Sequence, residues 1–306
     1  MSSDTVAGQS AAVLKRILVA TDFSPAARLA VWRAGRLAKQ NDAYLHLIHA
    51  QPDWNLFARS TPNAAEHYRA VGEQAEQALG EELEFLEATF GIHARGETRM
   101  GRASQVLRSA AAEIEPHLVV AGARGEHDSP MMAPFLGGTA LKLISYAGCP
   151  VLIVRKPAGG PYSVAVAAVE GSGPAARGLV LWAGSLLGEG DCHIVHAFDV
   201  PYVERMRKRG VSEAAIQSCS EEVRAAAEGF IKDVLDAGSG LGLRLHAHLV
   251  CGEPVGALLA EIERRRPDLV VVGKHQHPPR EHHLDSLGSV ALRIAYHAPG
   301  DVLVVP

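Results

Sequence analysis

Shifting the sequence by 151 positions lays Met100–Val154 on Cys251–Val305 without a gap, and fifteen of the 55 pairs are identical. That is several times what shared composition would give. Pro116-His-Leu-Val-Val-Ala-Gly122 meets Pro267-Asp-Leu-Val-Val-Val-Gly273, and Val151-Leu-Ile-Val154 meets Val302-Leu-Val-Val305. Upstream the match holds with small shifts, His46-Leu-Ile-His49 on His193-Ile-Val-His196 and Pro25-Ala-Ala-Arg28 on Pro174-Ala-Ala-Arg177. A repeat this long constrains the fold more than any single motif, because one architecture must serve both copies. The 306 residues leave room for two domains of about 150 each. Lys156-Pro-Ala-Gly-Gly-Pro161 can continue neither helix nor strand. We therefore expect an N-terminal tail over 1–14, one domain over 15–155, a linker over 156–161 and a second domain over 162–306.

Each copy alternates strand and helix. In the first, Arg16–Thr21 is a short apolar run, and Ser24-Pro25 is an N-cap with proline at the first helical position. Apolar residues then recur at helical spacing through Ala38. Strands are predicted at Tyr44–Ala50, His93–Arg99, Leu118–Gly122 and Val151–Val154, and helices at Ala64–Phe90, Ala103–Ile114 and Ala140–Ala147. In the second copy strands are predicted at Val164–Val169, His193–Phe198, Leu243–Val250, Leu269–Gly273 and Val302–Val305. Its helices are Ala175–Leu187, Ser212–Ala237, Val255–Arg264 and Ala291–His297. Most strands are continuous apolar runs, as expected when helices cover both faces of a parallel sheet. The fold class is α/β, two tandem doubly wound parallel-sheet domains of flavodoxin-like or Rossmann-like type. A ligand belongs beyond the carboxyl ends of the strands, where the strand order switches direction.

Composition narrows the function classes. Hydrophobic residues at 47% and charged residues at 21% exclude a disordered chain, a collagen-like fibre and a disulfide-built mini-protein. A net charge of −4 gives no global attraction to nucleic acid or anionic lipid, so neither a nucleic-acid partner nor a membrane is expected. Cys149, Cys192, Cys219 and Cys251 are scattered, which suits free thiols in a reducing compartment. Residues 1–13 lack the basic and apolar regions of a secretory signal, and no apolar run approaches about 18 residues. The expected location is the cytoplasm.

Two places in the first copy lie at strand ends. Ala20-Thr-Asp22 closes the first strand, with a carboxylate placed to accept hydrogen bonds from a ribose or a base. Gly122-Ala-Arg-Gly125 follows the fourth strand, and Gly137-Gly-Thr139 opens the next helix. Glycine lets backbone amides approach a phosphate closely, and a helix start adds unpaired N–H groups and partial positive charge.

These residues resemble the universal stress protein family in its tandem form, from Lys15 to Pro306. The carriers are Ile17-Leu-Val-Ala-Thr-Asp-Phe-Ser-Pro25, the strand ends at His49 and His196, the two glycine segments and the last strands. The resemblance implies an adenine nucleotide alpha hydrolase-like fold, with the two copies related by a pseudo-twofold and the last strands at their contact. It also implies ATP as the candidate ligand. Ala20 and Asp22 would lie around base and ribose, with Ala50 beside the base. Gly122, Arg124 and Gly125, then Gly137, Gly138 and Thr139, would hold the phosphates. Nucleotide-binding members carry Gly, two residues, Gly, nine residues, then Gly with Ser or Thr. Here 11 residues separate Gly125 from Gly137, and Gly138 precedes the hydroxyl of Thr139. In the second copy Gln276 replaces the second glycine, 11 residues again precede Gly288-Ser289, and Val169-Glu-Gly-Ser-Gly173 stands at the acidic position. Nucleotide binding is therefore expected mainly in the first copy.

Other features have plainer readings. His275, His277, His282 and His283 could ligate zinc or copper, but the spacing matches no zinc pattern and Pro278-Pro279 suits a solvated loop; no metal site is predicted. In the same segment Lys274 could meet a phosphate or water. The recurrence of His49 and His196 favours a shared structural job, such as bonding a neighbouring backbone group. Arg205-Met-Arg-Lys-Arg209 reads as a solvated face, and Arg264-Arg-Arg266 as cations closing a helix. Pro130-Met-Met-Ala-Pro-Phe135 is a lid, a partner contact or a loop packed on its own domain. No catalytic nucleophile is evident, and Asp22 has no obvious acid–base partner. The expected role is that of a stress-response regulator that binds an adenine nucleotide. Its alternatives are a scaffold for unknown protein partners or a slow ATPase. Association into a homodimer stays open.

Overall fold

Helix α1 (Pro25–Asn41) begins where the sequence places its cap: the Ser24 hydroxyl accepts the Ala27 N–H at 3.2 Å, and Pro25 occupies the first turn. It ends later than the apolar periodicity suggests. Asn41 donates its side-chain amide to the Leu37 carbonyl, and Asp42 closes the helix in a left-handed conformation (φ 49°) with its N–H on Ala38.

The computed structural model describes residues 13–52, 64–125, 136–157, 159–170, 174–200, 203–274 and 287–306. The first-copy elements are β1 (Arg16–Thr21), α1 (Pro25–Asn41), β2 (Tyr44–Gln51), α2 (Ala64–Phe90), β3 (Ala94–Met100), α3 (Ala103–Ile114), β4 (Leu118–Gly122), α4 (Gly138–Tyr146) and β5 (Val151–Val154). The second copy continues with β6 (Val164–Ala168), α5 (Pro174–Leu187), β7 (Gly190–Phe198), α6 (Val203–Lys208), α7 (Glu213–Gly238) and β8 (Leu243–Cys251). It closes with α8 (Pro254–Arg265), β9 (Leu269–Gly273), α9 (Ser289–His297) and β10 (Asp301–Val305). Helix α6 lies in the basic run that reads as a solvated face; its Arg207 and Lys208 are exposed, and Arg207 pairs with Glu213 at 2.9 Å.

Two compact bodies result: Leu14–Pro161 with Lys274–Pro306, and Tyr162–Gly273. In the first, the strand order is β3-β2-β1-β4-β5-β10. All neighbours are parallel except β10, which runs antiparallel to β5. Right-handed crossovers place α1 and α2 on one face and α3 and α4 on the other. Ile17, Leu18, Val19, Leu118, Val119 and Val120 are fully shielded, which accounts for their unbroken apolar runs. The second body holds β9-β6-β7-β8, all parallel.

The last strands of the two copies meet in the first body, as the family resemblance implies. Leu152 pairs with Leu303, flanked by Ile153↔Val302 and Val151↔Val304, so the pairing is centred on positions equivalent under the 151-residue shift. This covers an apolar strand edge that would otherwise invite pairing with another chain. Beside it sits a buried ion pair. Asp301, 1% exposed, lies 3.4 Å from the Arg33 guanidinium, itself 6% exposed. The Asp301 carboxylate also accepts the Arg155 N–H at 2.8 Å and the Lys156 N–H at 3.3 Å. Arg33 donates in turn to the Gly160 carbonyl at 2.9 Å, and Arg155 donates to the carbonyl of Ala295.

Candidate functional site at the switch in strand order

Strand β1 lies between β2 and β4, and the chain leaves it in opposite directions on its two sides. Crevices open at such points in parallel α/β sheets. The register sets Thr21 level with His49, so Asp22 and Ala50 are the next residues along each strand. Ala20 and Ala50 are half-buried here.

The end of β1 is held by a dense local network. The Asp22 carboxylate accepts the Ser24 N–H at 3.1 Å, and the Thr21 hydroxyl accepts the Phe23 N–H at 3.2 Å. These bonds support Phe23 at φ 62°, a conformation that a bulky side chain rarely adopts. The Phe23 ring packs on His49 with centroids 4.4 Å apart, and His49 Nδ1 donates to the Thr21 carbonyl at 3.0 Å. In the second copy His196 Nδ1 donates to the Val169 carbonyl at the same 3.0 Å. The recurring histidines thus fix the carbonyl at the end of the neighbouring strand.

The structure separates the glycines by cause. A Cβ on Gly122 would stand 2.7 Å from the Ala26 carbonyl oxygen and 2.8 Å from its carbon, so this glycine is required where β4 passes the start of α1. Gly137 is buried and caps α4 with no side-chain hydrogen bond, its N–H on the Ala123 carbonyl at 2.8 Å. Gly138 is exposed, and a Cβ there would meet nothing within 4 Å among the described residues. Thr139, half-buried, follows in the first turn. Arg124 is exposed and Gly125 half-buried where the chain leaves β4. Thus the ends of β1, β2 and β4 and the start of α4 present every sequence-predicted contact at one end of the sheet.

One residue of this site was hidden from sequence reasoning. Glu82, on α2, lies 3.5 Å from the Thr21 hydroxyl. Burial pushes its carboxyl above the ordinary range; Thr21 and Arg28 oppose that shift, and the nearby charge of Asp22 adds to it. Asp22 therefore has an acidic neighbour sixty residues away in sequence.

The second copy keeps the skeleton and changes its side chains. Gly288 caps α9 without a side-chain bond, and its N–H reaches the Lys274 carbonyl at 2.8 Å, as Gly137 reaches Ala123. Lys274 is 6% exposed, so its side chain does not extend into bulk water. Glu170 is exposed. Gln276, residues 171–173, the histidines of 275–283 and the apolar segment 130–135 lie outside the described residues. Among the described residues no group of three or more His, Cys, Asp or Glu is arranged to hold a metal, and no helix is long and apolar enough to cross a membrane.

In the body of Tyr162–Gly273 a histidine cluster takes the place of a histidine–glutamate hydrogen bond. The first copy pairs His46 with Glu97 at 3.1 Å. At the equivalent positions His193 Nδ1 lies 3.0 Å from His248 Nε2, with Arg265 at 3.2 Å and the His246 ring stacked at 4.8 Å. Burial, then Arg265 and the two other imidazoles, press the His193 pKa down to about 4. The native state then binds fewer protons than the unfolded chain between that value and the ordinary 6.5. This contribution to stability is present at neutral pH and is lost as pH falls through that interval. Thermal melts from pH 7.5 to 4.5 should show a fall in Tm that His193→Gln reduces by roughly 2–4 °C, solvent screening keeping the effect small. Identical pH profiles for the two proteins would remove the histidine from the account.

Comparison with known proteins agrees with this architecture. The model of the universal stress protein family matches twice, over residues 14–155 and 161–306. A universal stress protein from Archaeoglobus fulgidus superposes with a TM-score of 0.63 at 20% identity, with 95% of this chain and 97% of that one covered. A Pseudomonas aeruginosa protein provisionally assigned to the same family gives 0.56 at 17% identity, covering 95% of this chain and 93% of that one. At such identities the likeness speaks for the fold alone. A search of curated proteins finds no match. With both halves matched by one family model and the doubly wound arrangement present in each, the chain belongs to the universal stress protein family, in tandem form.

Proposed function

We propose that the first copy binds an adenine nucleotide, with ATP the leading candidate, and that the protein acts in the cytoplasm as a stress-response regulator through its bound and empty states. The observation that carries this reading is Gly138. Among the described residues neither a packing contact nor a left-handed backbone requires glycine there. It stands in the first turn of a helix whose N-cap, Gly137, offers no side-chain acceptor, so first-turn N–H groups can turn to a phosphate. A phosphate approaching that turn gives the missing side chain a purpose. In this reading Asp22 and Ala50 at the neighbouring strand ends take the ribose and base, and Gly122, Arg124, Gly125, Gly137 and Thr139 complete the cradle. Glu82, beside Asp22, adds a carboxyl that is more readily protonated than usual.

Native mass spectrometry of the purified chain, followed by calorimetric titration with ATP, tests the reading. Wild type should bind, and Gly125→Val should abolish binding while keeping its circular dichroism. Gly138→Ala should weaken binding at least about tenfold with no loss of Tm, because the new methyl meets none of the described residues. Failure of wild type to bind millimolar ATP would overturn the proposal in favour of a scaffold for protein partners. Phosphate release that vanishes in Asp22→Ala would instead mark a slow ATPase.

A further inference from the structure

A second cleft, of about 530 Å³, opens on the α1 side of the β4 and β5 ends, on the face opposite the start of α4. That volume is in the range of small-molecule pockets. Arg124, Arg155 and Lys156 line it, with Leu29 and Val154 as apolar wall and Tyr296 at its α9 side. No carboxylate is among its described lining residues. Asp301, the acid tied to this cluster, is 1% exposed and already faces Arg33 and the N–H groups of Arg155 and Lys156. The charges of Arg33 and Arg155 thus both act on one buried carboxylate, and Arg124 adds a further cation beside Arg155. Arg124 and Lys156 are exposed and make no ion pair among the described residues.

Arg155 shows the resulting imbalance. Its Nε is buried with no hydrogen-bond partner among the described residues. Burial lowers the pKa of its guanidinium; Asp301 opposes that shift and the neighbouring charge of Arg124 adds to it. An anion set between these cations would offset their repulsion, and charge-assisted hydrogen bonds to phosphate are among the strongest available.

The geometry points to a second ligand site in this cleft, for the phosphomonoester of a small organic molecule. Arg124 and Lys156 pair with the phosphate, Arg155 supplies positive charge from below, and Leu29 and Val154 take the organic part. The assignment does not rest on the nucleotide reading, although Arg124 borders both places. Lys156 separates them.

Calorimetry on the full chain with phenyl phosphate, inorganic phosphate and ATP tests it. Lys156→Ala should keep the wild-type Tm, because the hydrogen bond from Lys156 to Asp301 comes from the backbone. It should weaken phenyl phosphate binding at least tenfold and leave ATP binding unchanged, and Lys156→Arg should restore most of the affinity. Gly138→Ala should leave phenyl phosphate binding intact. Equal affinity for inorganic phosphate would still support the phosphate site, with the free anion as its source. Three results would each overturn the assignment: no binding of either phosphate at millimolar concentration, equal binding in wild type and Lys156→Ala, or joint loss of phenyl phosphate and ATP in Gly138→Ala.

Discussion

Replacing Asp301 with alanine should remove about 3–5 kcal/mol of stability, the usual cost of leaving one partner of a buried ion pair uncompensated. Arg33 is 6% exposed and cannot turn to solvent without opening the packing around α1. The same substitution strands the N–H groups of Arg155 and Lys156, which the carboxylate now accepts. Urea denaturation followed by tryptophan fluorescence will report the change, since Trp32 lies one residue from Arg33 on α1. Asp301→Asn keeps an oxygen acceptor but removes the charge, so its midpoint should fall between those of wild type and Asp301→Ala. A loss below about 1 kcal/mol in Asp301→Ala would show that the pair behaves like an exposed one.

Of the glycines at the candidate site, Gly122 should tolerate alanine less well than Gly138, at a cost of about 2–3 kcal/mol. The incoming methyl would lie 2.7 Å from one backbone atom of Ala26 and 2.8 Å from another, and no side chain can rotate away to make room. Relief requires α1 to lift from β4, and that movement would disturb the turn from Thr21 to Ser24. Gly138→Ala, by contrast, should leave Tm unchanged or raise it, since alanine is favoured over glycine in a helix by up to about 1 kcal/mol. Melting both variants without ligand gives the comparison. Equal stability of Gly122→Ala and wild type would mean that the strand and helix adjust freely, and Gly122 would then join Gly138 as a residue explained only by a ligand.

The repeat, the alternation of strand and helix and the Ser24-Pro25 start of α1 were legible because they rest on local rules of periodicity and capping. The positions of the candidate contacts at the ends of β1, β2 and β4 followed from topology, since parallel strands with right-handed crossovers bring those ends together. What each glycine does was not legible. Gly122 and Gly138 look equivalent in sequence, and only the distance to Ala26 distinguishes a packing requirement from open space. Glu82 was hidden because its meeting with Thr21 depends on how α2 lies against the sheet. Asp301 was hidden for a similar reason: a lone aspartate before an apolar strand reads as a turn residue, and only the antiparallel meeting of β5 and β10 places it against Arg33.

The ion pair under that meeting has no counterpart on the other side. By the 151-residue correspondence Asp301 answers to Pro150, and Arg155 answers to Pro306. In a symmetric pair of separate chains, a substitution at the contact appears on both sides at once. Here an acid stands at one end and a proline at the other, an inequality that joining two copies in one polypeptide permits. Two first halves brought together along β5 would set Pro150 in both places where Asp301 is needed. The halves of this protein have become complements, and neither can stand in for the other.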